Sequence, residues 1–305
     1  MLSVIICTYN REKYIYKALK SVAEQDYANE KYELIVINNN SNDNTEKLCF
    51  EFKENYPQVN FKYYIETEQG LSYARNRGIK ESSGDIIFYI DDDAEIVPGY
   101  LSEYDNFFLS HPDAIAAGGK IIPVFEGEEP KWMSEITREL LGGALDFGNT
   151  IKPFKKGKYP GGGNSAYKAS AFKKFGLFNT ELGRKGSGLI GSEEKDMYDR
   201  FRNEGLEFYY LPKAAILHHI PASRLTKEHF KKLSYSIGVG ERIRTKAISG
   251  LKYFTRLVNE IIKWCASIIL FIGYTLVLQP QKGWKLIEFR WWLTKGLMNI
   301  KLSNV

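Results

Sequence analysis

Three short stretches in the first third of the chain are apolar without a polar break, Val4–Cys7 (in the run Ser3–Cys7), Leu34–Ile37 and Ile86–Ile90, and a further strand is expected at Phe61–Ile65. Runs of this length with no alternation predict strands buried on both faces, as in a parallel sheet. Between them the pattern changes to helical spacing. Ile15, Ala18, Leu19 and Val22 share one helical face. Asp43 or Ser41 can cap a helix over 44–55, and Gln69-Gly70 opens another through Gly78. Pro98 precedes a helix near Tyr100–Leu109, followed by a strand around Ala114–Ile122. This alternation predicts an α/β fold, a mainly parallel central sheet flanked by helices with right-handed crossovers. From Glu126 to Pro160 the pattern weakens to a loop region. Gly161-Gly162-Gly163-Asn164 follows, where glycines allow close backbone approach. A short helix over 170–175 and a glycine-rich candidate lid over 183–191 come next. Ser192 starts a helix, and a strand-like run ends at Leu217-His218-His219-Ile220-Pro221.

The Ile86–Ile90 run delivers Asp91, Asp92 and Asp93 to its carboxyl end, where open α/β sheets bind ligands. Three adjacent like charges cost free energy unless a cation neutralises them. Hard oxygen ligands suit Mg²⁺ or Mn²⁺, which are commonly shared with substrate phosphates. Glu193, Glu194 and Asp196 crowd the start of one helix. Acids there favour the positive helix end, and one of them can equally serve as a general base. His218 and His219 are structural or metal-binding candidates. No Gly-x-Gly-x-x-Gly fingerprint and no Gly-Lys-Ser/Thr phosphate loop is present.

Charge divides the chain. From Arg224 onward there are 15 Lys and Arg against 4 Asp and Glu, a net of +11. The first 223 residues carry 27 against 33, a net of −6. An acidic body speaks against nucleic acid as partner, and the basic, Trp-bearing tail points to an anionic surface. In the tail, Phe254, Leu257, Val258, Ile261, Cys265, Ile268 and Ile272 form one apolar stripe. Three readings stay open: a helix packed on the domain or on a second copy in a homodimer, a helix lying on the inner leaflet, or a membrane span. Cys7, Cys49 and Cys265 show neither a disulfide framework nor zinc spacing, which favours a reducing cytoplasm. Leu2–Cys7 is too short for a signal-peptide core.

Six stretches together resemble family 2 glycosyltransferases of the GT-A fold. They are Ser3–Arg11, Ile35–Thr45, Ala74–Ile79, Gly84–Asp93 with Pro98, Gly162–Asn164, and Glu193–Met197 with Arg200 and His218-x-x-Pro221-x-x-Arg224. They occur in the family's order across roughly the first 225 residues. The resemblance implies a catalytic domain over 1–225, with a nucleotide-binding half at 1–125 and an acceptor-side half at 126–225, and a helical tail over 226–305. It implies an inverting transfer of one sugar from a nucleotide-diphospho-sugar to a hydroxyl of a glycan or lipid-linked glycan, with Mg²⁺ or Mn²⁺. It points to surface polysaccharide synthesis, on the cytoplasmic face of the plasma membrane. Thr8, Tyr9, Asn10, Arg11, Asn40 and Arg75 would line the nucleotide side. Asn38 stands where the family usually has an Asp that accepts from the uracil ring; its amide oxygen keeps that capacity. Asp93 would hold the metal with Asp91 and His218, with His219 as runner-up. Asp91 or Asp92 would contact the nucleotide. Gly163, Asn164 and Glu193 would face the transferred sugar and its acceptor. Glu194 falls on the family's catalytic base, usually Asp, with Glu193 and Asp196 as alternates. Processive relatives carry Gln-x-x-Arg-Trp; here Arg290-Trp291 is preceded by Ile287 instead of Gln, which favours single transfer. The rival readings are a nucleotidyltransferase, which would want glycines in Thr8–Arg11, and a non-catalytic nucleotide-sugar-binding module, which would not need both acid groups.

Overall fold

The computed structural model describes residues 1–300. Two compact units are present: Met1–Val124 with Gly143–Thr180 and Glu193–His219, and Phe125–Gly142 with Glu181–Ser192 and the chain from Ile220 onward.

The first unit is built on a nine-stranded mixed sheet. Its strands are β1 (Leu2–Thr8), β2 (Tyr32–Asn38), β3 (Phe61–Ile65), β4 (Ile86–Asp91), β5 (Ala94–Ile96), β6 (Ala116–Phe125), β7 (Lys152–Pro153), β8 (Asn164–Lys168) and β9 (Phe208–Ile220). The order is β3-β2-β1-β4-β8-β6-β9-β5, with β7 paired to β9. β3, β2, β1 and β4 run parallel. Side chains of β1 separate by parity: Val4 and Ile6 enter one apolar cluster, while Ile5 enters a second with Ile35 and Ile37. Burial on both faces explains why β1, β2 and β4 lack alternation, whereas β3, at the sheet edge, is only half-buried.

Beyond β4 the sheet departs from the expected pattern. β8 lies antiparallel to β4 and to β6, so it separates two strands that run the same way. Its sequence, Asn-Ser-Ala-Tyr-Lys, has no apolar run to mark it. The helices of this unit are α1 (Ile15–Ala23), α2 (Thr45–Asn55), α3 (Leu71–Glu81), α4 (Tyr100–Ser110), α6 (Ala169–Phe175) and α7 (Glu193–Asn203). Thr45 N donates to Asp43 Oδ1 at 3.0 Å at the start of α2, whereas Ser41 Oγ accepts from Asn10 N.

The second unit holds α5 (Glu135–Gly142), α8 (Lys227–Ile248), α9 (Gly250–Leu276) and α10 (Pro280–Leu297). The stretches 125–142 and 181–192, read from the sequence as acceptor-side loops, cluster with these helices. The reason is visible in the packing: Met133, Leu141 and Leu189 join Phe230, Leu233, Phe289 and Leu293 in one apolar cluster. α8 and α10 meet backbone to backbone at two glycines. A Cβ on Gly238 would lie 2.0 Å from Leu293 O, and one on Gly296 would lie 2.1 Å from Tyr235 O.

Candidate active site

β4 ends at Asp91, and the short turn to β5 presents Asp92 and Asp93 beside the carboxyl end of β1. Antiparallel pairing of β5 with β9 sets Ala94 opposite His218 and so brings that imidazole to the acids. His218 Nε2 lies 3.1 Å from Asp93 Oδ1. One ligand atom each from Asp91, Asp93 and His218 fall within 4.8 Å of one another. Two carboxylates and an imidazole are a donor set suited to Mg²⁺ or Mn²⁺. His219 points elsewhere: its Nε2 meets Glu95 Oε1 at 2.6 Å and its ring stacks on Tyr14. The alternate histidine is therefore outside this cluster, because successive strand residues face opposite sides.

Asp92, expected to contact the nucleotide, is buried and tied inward. Arg11 Nε donates to its Oδ1 at 3.0 Å, and Arg11 Nη2 lies 3.4 Å from Asp93 Oδ2. Burial pushes Asp92 up to about 6, opposed by the Arg11 charge and reinforced by Asp93. Arg11 and Asp92 thus form an internal pair. Cys7, beside these acids, is pushed up to about 12 by burial and carries no thiolate at neutral pH.

The loops after β1 and β2 brace each other. Asn10 (φ 53°) accepts from Asn42 N at 2.9 Å, and its own N–H donates to Ser41 Oγ. Asn38 Nδ2 donates to the Tyr63 hydroxyl at 2.7 Å, and its Oδ1 accepts from Ser41 N. One lone pair of Oδ1 is therefore already used. Asn40 Nδ2 donates to Thr67 O. Thr8 is buried at the end of β1, followed by half-buried Tyr9, whose N–H points to Asp92 Oδ2 at 3.4 Å.

A second acid cluster assembles around α3. Arg75 is 3% exposed, and its Nη1 donates to Glu193 Oε1 at 2.9 Å and Glu194 Oε1 at 2.8 Å. Its guanidinium lies over the rings of Tyr89 and Phe178. The sequence reading placed Arg75 on the nucleotide side and missed this pairing across 119 positions. The two glutamates differ sharply. Burial and the neighbouring Glu194 charge push Glu193 upward against the pull of Arg75. Burial also pushes Glu194 upward, but Arg75 and the helix backbone overcome it and hold Glu194 below the usual carboxylate range. Asp196 is excluded from this group, since it pairs with Arg200 at 2.9 Å one helical turn on.

The glycine run joins the two clusters. A Cβ on Gly162 would lie 1.7 Å from Glu194 Oε1, and a Cβ on Gly163 would lie 2.1 Å from Asp91 Oδ2. Consecutive Cα atoms are about 3.8 Å apart, so Asp91 and Glu194 border the same short piece of backbone. Asn164 has another role than the sugar contact expected of it. It is fully buried, its Oδ1 accepts from the Tyr100 and Tyr104 hydroxyls at 2.8 Å, and its Nδ2 donates to Lys120 O and Ala214 O at 2.9 Å. Both donors and both lone pairs are taken, which makes it a pin between α4, β6 and β9.

Residues 3–176, more than half of the chain, match the model of glycosyl transferase family 2. The chain belongs to this family. It is a glycosyltransferase with the GT-A fold, acting on a nucleotide-sugar, and the readings as nucleotidyltransferase or non-catalytic module fall with that match. It is 26% identical over 246 residues to a glucosyl-dolichyl phosphate glucuronosyltransferase of Haloferax volcanii, covering 79% of this chain and 76% of that one. It is 33% identical over 161 residues to the GalNAc(5)-diNAcBac-PP-undecaprenol β-1,3-glucosyltransferase of Campylobacter jejuni, with 51% and 52% covered. Among solved structures, the mannosyltransferase PcManGT of Pyrobaculum calidifontis, in complex with GDP-Man and Mn²⁺, superposes with a TM-score of 0.67 at 17% identity, covering 98% of this chain and 88% of that one.

Proposed function

We propose that this enzyme transfers one sugar, with inversion, from a nucleotide-diphospho-sugar, with UDP as the expected nucleotide, to a hydroxyl of a lipid-linked glycan in surface polysaccharide synthesis. The observation that carries the proposal is the pair of acid clusters bordering consecutive glycines, Asp91 against Gly163 and Glu194 against Gly162. One cluster suits a cation and the other an ionised base, at the spacing of a single reacting centre.

In this reading Glu194 is the base. It is held ionised by Arg75, so it can take the acceptor hydroxyl's proton as that oxygen attacks the anomeric carbon. Glu193, pushed upward by burial and by the Glu194 charge, is the member of the pair that retains its proton. Asp91, Asp93 and His218 would hold Mg²⁺ or Mn²⁺, which when bound supplies positive charge to the departing diphosphate. Arg11 and Asp92 fix the loop that carries Asp93. Thr8, Tyr9, Asn38 and Asn40 belong to the loops that receive the nucleotide. Gly163 lets the backbone and the Asp91 carboxylate approach closely.

The tail supports a cytoplasmic enzyme held on the inner membrane face. α9 is long and apolar enough to cross a membrane by length and composition, yet its apolar stripe is exposed, with Ile261 at 65% and Ile269 at 68%. The stripe is therefore uncovered by the described chain, and the basic surroundings favour a helix lying on an anionic leaflet. A homodimer through the same stripe is the competing reading. Lipid-linked acceptors named for the relatives agree with a membrane site. A thermal-shift screen of nucleotide-sugars with and without Mn²⁺ tests the function. A true donor raises the apparent melting temperature only with metal. No stabilisation by any nucleotide-sugar would overturn the reading.

A further inference from the structure

α9 has reversed polarity. Its contact with α8 and α10 carries charge: Glu241 bonds Arg244 and Arg256, and Glu260 bonds Arg256 and Arg290, at 2.7–3.1 Å. Along α9 the shielded positions include Arg256, Glu260, Trp264 and Ser267, together with Leu257 of the apolar stripe, at helical spacing. The positions turned outward are Phe254, Val258, Ile261, Ile262, Ile268, Ile269 and Ile272. In water this exposes apolar area and buries ions, both unfavourable. Against acyl chains the same arrangement is favourable.

Beside this surface, α8, α9 and α10 enclose a groove of about 460 Å³ lined by Lys227, Lys231, Trp264, Trp284, Trp291 and Trp292. A second hollow of about 570 Å³ shares Lys227 and Trp284 with it. Its chemistry is that of a headgroup layer. Trp284 and Trp291 are more than half exposed, and rings with one polar edge favour the membrane–water boundary. Each acid of the lining has another lysine as its neighbour: Glu228 lies 3.7 Å from Lys232, and Glu288 is 2.5 Å from Lys285. Lys231 sits over the Trp292 ring at 4.8 Å. Among the described residues, neither Lys227 nor Lys231 is engaged by a carboxylate, which leaves two ammonium groups facing one aromatic-walled space.

We infer that this groove binds the phosphate of an anionic membrane lipid, with Lys227 and Lys231 on the phosphate, the tryptophans at headgroup depth and α9 among the upper acyl chains. The inference rests on the membrane reading above and adds a defined lipid site to it. Diffuse attraction would treat every tail lysine alike. A site would single out the two in the groove.

The test is flotation of the full-length enzyme with vesicles of phosphatidylcholine alone or mixed with phosphatidylglycerol. It compares wild type, Lys227→Gln/Lys231→Gln, and the control Lys246→Gln/Lys252→Gln at the exposed α8–α9 turn. Hydrolysis of the donor in the absence of acceptor reports folding. The groove pair is expected to weaken binding to anionic vesicles about ten-fold more than the control pair, with hydrolysis unchanged in both. Inorganic phosphate at matched ionic strength is expected not to displace the enzyme. Equal loss in the two pairs overturns the groove while leaving the membrane reading intact. Displacement by inorganic phosphate overturns the lipid as ligand. No flotation of wild type overturns the membrane reading and the groove with it.

Discussion

A single nitrogen of Arg75 donates to the carboxylates of Glu193 and Glu194, at 2.9 and 2.8 Å, in a pocket almost closed to water. One cation shared by two neighbouring acids cannot hold both ionised at equal cost, and the pair separates into a proton holder and a proton acceptor. Removing the cation leaves two buried carboxyls to settle the charge alone. Arg75→Met is expected to lose about 3–5 kcal/mol of stability by urea unfolding, the usual cost of breaking a buried ion pair. A loss below about 1 kcal/mol would show that the guanidinium does not neutralise these acids.

Glu193 gives a prediction in pH. Its folded pKa is raised, to about 8, above an ordinary value of 4.5. Between these two values the folded state holds a proton that the unfolded state has released, so stability falls as pH rises through that window. Glu193→Gln copies the protonated form. The variant is expected to keep near wild-type transfer at neutral pH and to lose the downward stability trend that wild type shows towards pH 8. Identical stability–pH slopes for the two proteins would contradict the assignment of the proton to Glu193.

The glycines make a steric prediction. A methyl at position 162 would overlap Glu194 and one at 163 would overlap Asp91. Gly162→Ala is expected to lower kcat with little change in donor affinity, because it displaces the base. Gly163→Ala is expected to raise the donor and Mn²⁺ dissociation constants, because it displaces a proposed metal ligand. Circular dichroism with isothermal titration of donor and Mn²⁺ separates the two, and equal effects on binding would contradict the division.

Asn164 predicts a stability defect and no specificity change. Asn164→Ala removes four hydrogen bonds from a buried place, and each group left unsatisfied costs about 1–3 kcal/mol. The variant is expected to unfold at clearly lower urea concentration, with an unchanged KM for the donor in the folded fraction. A raised KM with normal stability would return Asn164 to the sugar contact first expected of it.

How much of this was legible in the sequence depended on whether neighbours in space were neighbours in pattern. Ile86–Ile90 announces a strand buried on both faces, and a strand's carboxyl end places Asp91 and Asp93 without further information. His218 was reachable because the order of motifs put it on the same site, although only the β5–β9 register separates it from His219. β8 was missed, since its polar residues look like loop and its strand state comes from pairing with β4 and β6. The pairing of Arg75 with Glu193 and Glu194 was missed because a sequence carries no signal for a partner more than a hundred residues away. Phe254, Ile261 and Ile268 were found as a stripe, but a stripe does not say which side faces in; Arg256 and Glu260 decide that here.

The base assignment is where the account is most exposed. Single-turnover transfer by Glu194→Gln, run beside donor titration with Mn²⁺ present, tests it directly. Transfer is expected to fall by roughly 10²–10⁴, the usual worth of a general base, with donor affinity unchanged. Transfer within a few-fold of wild type would contradict the account.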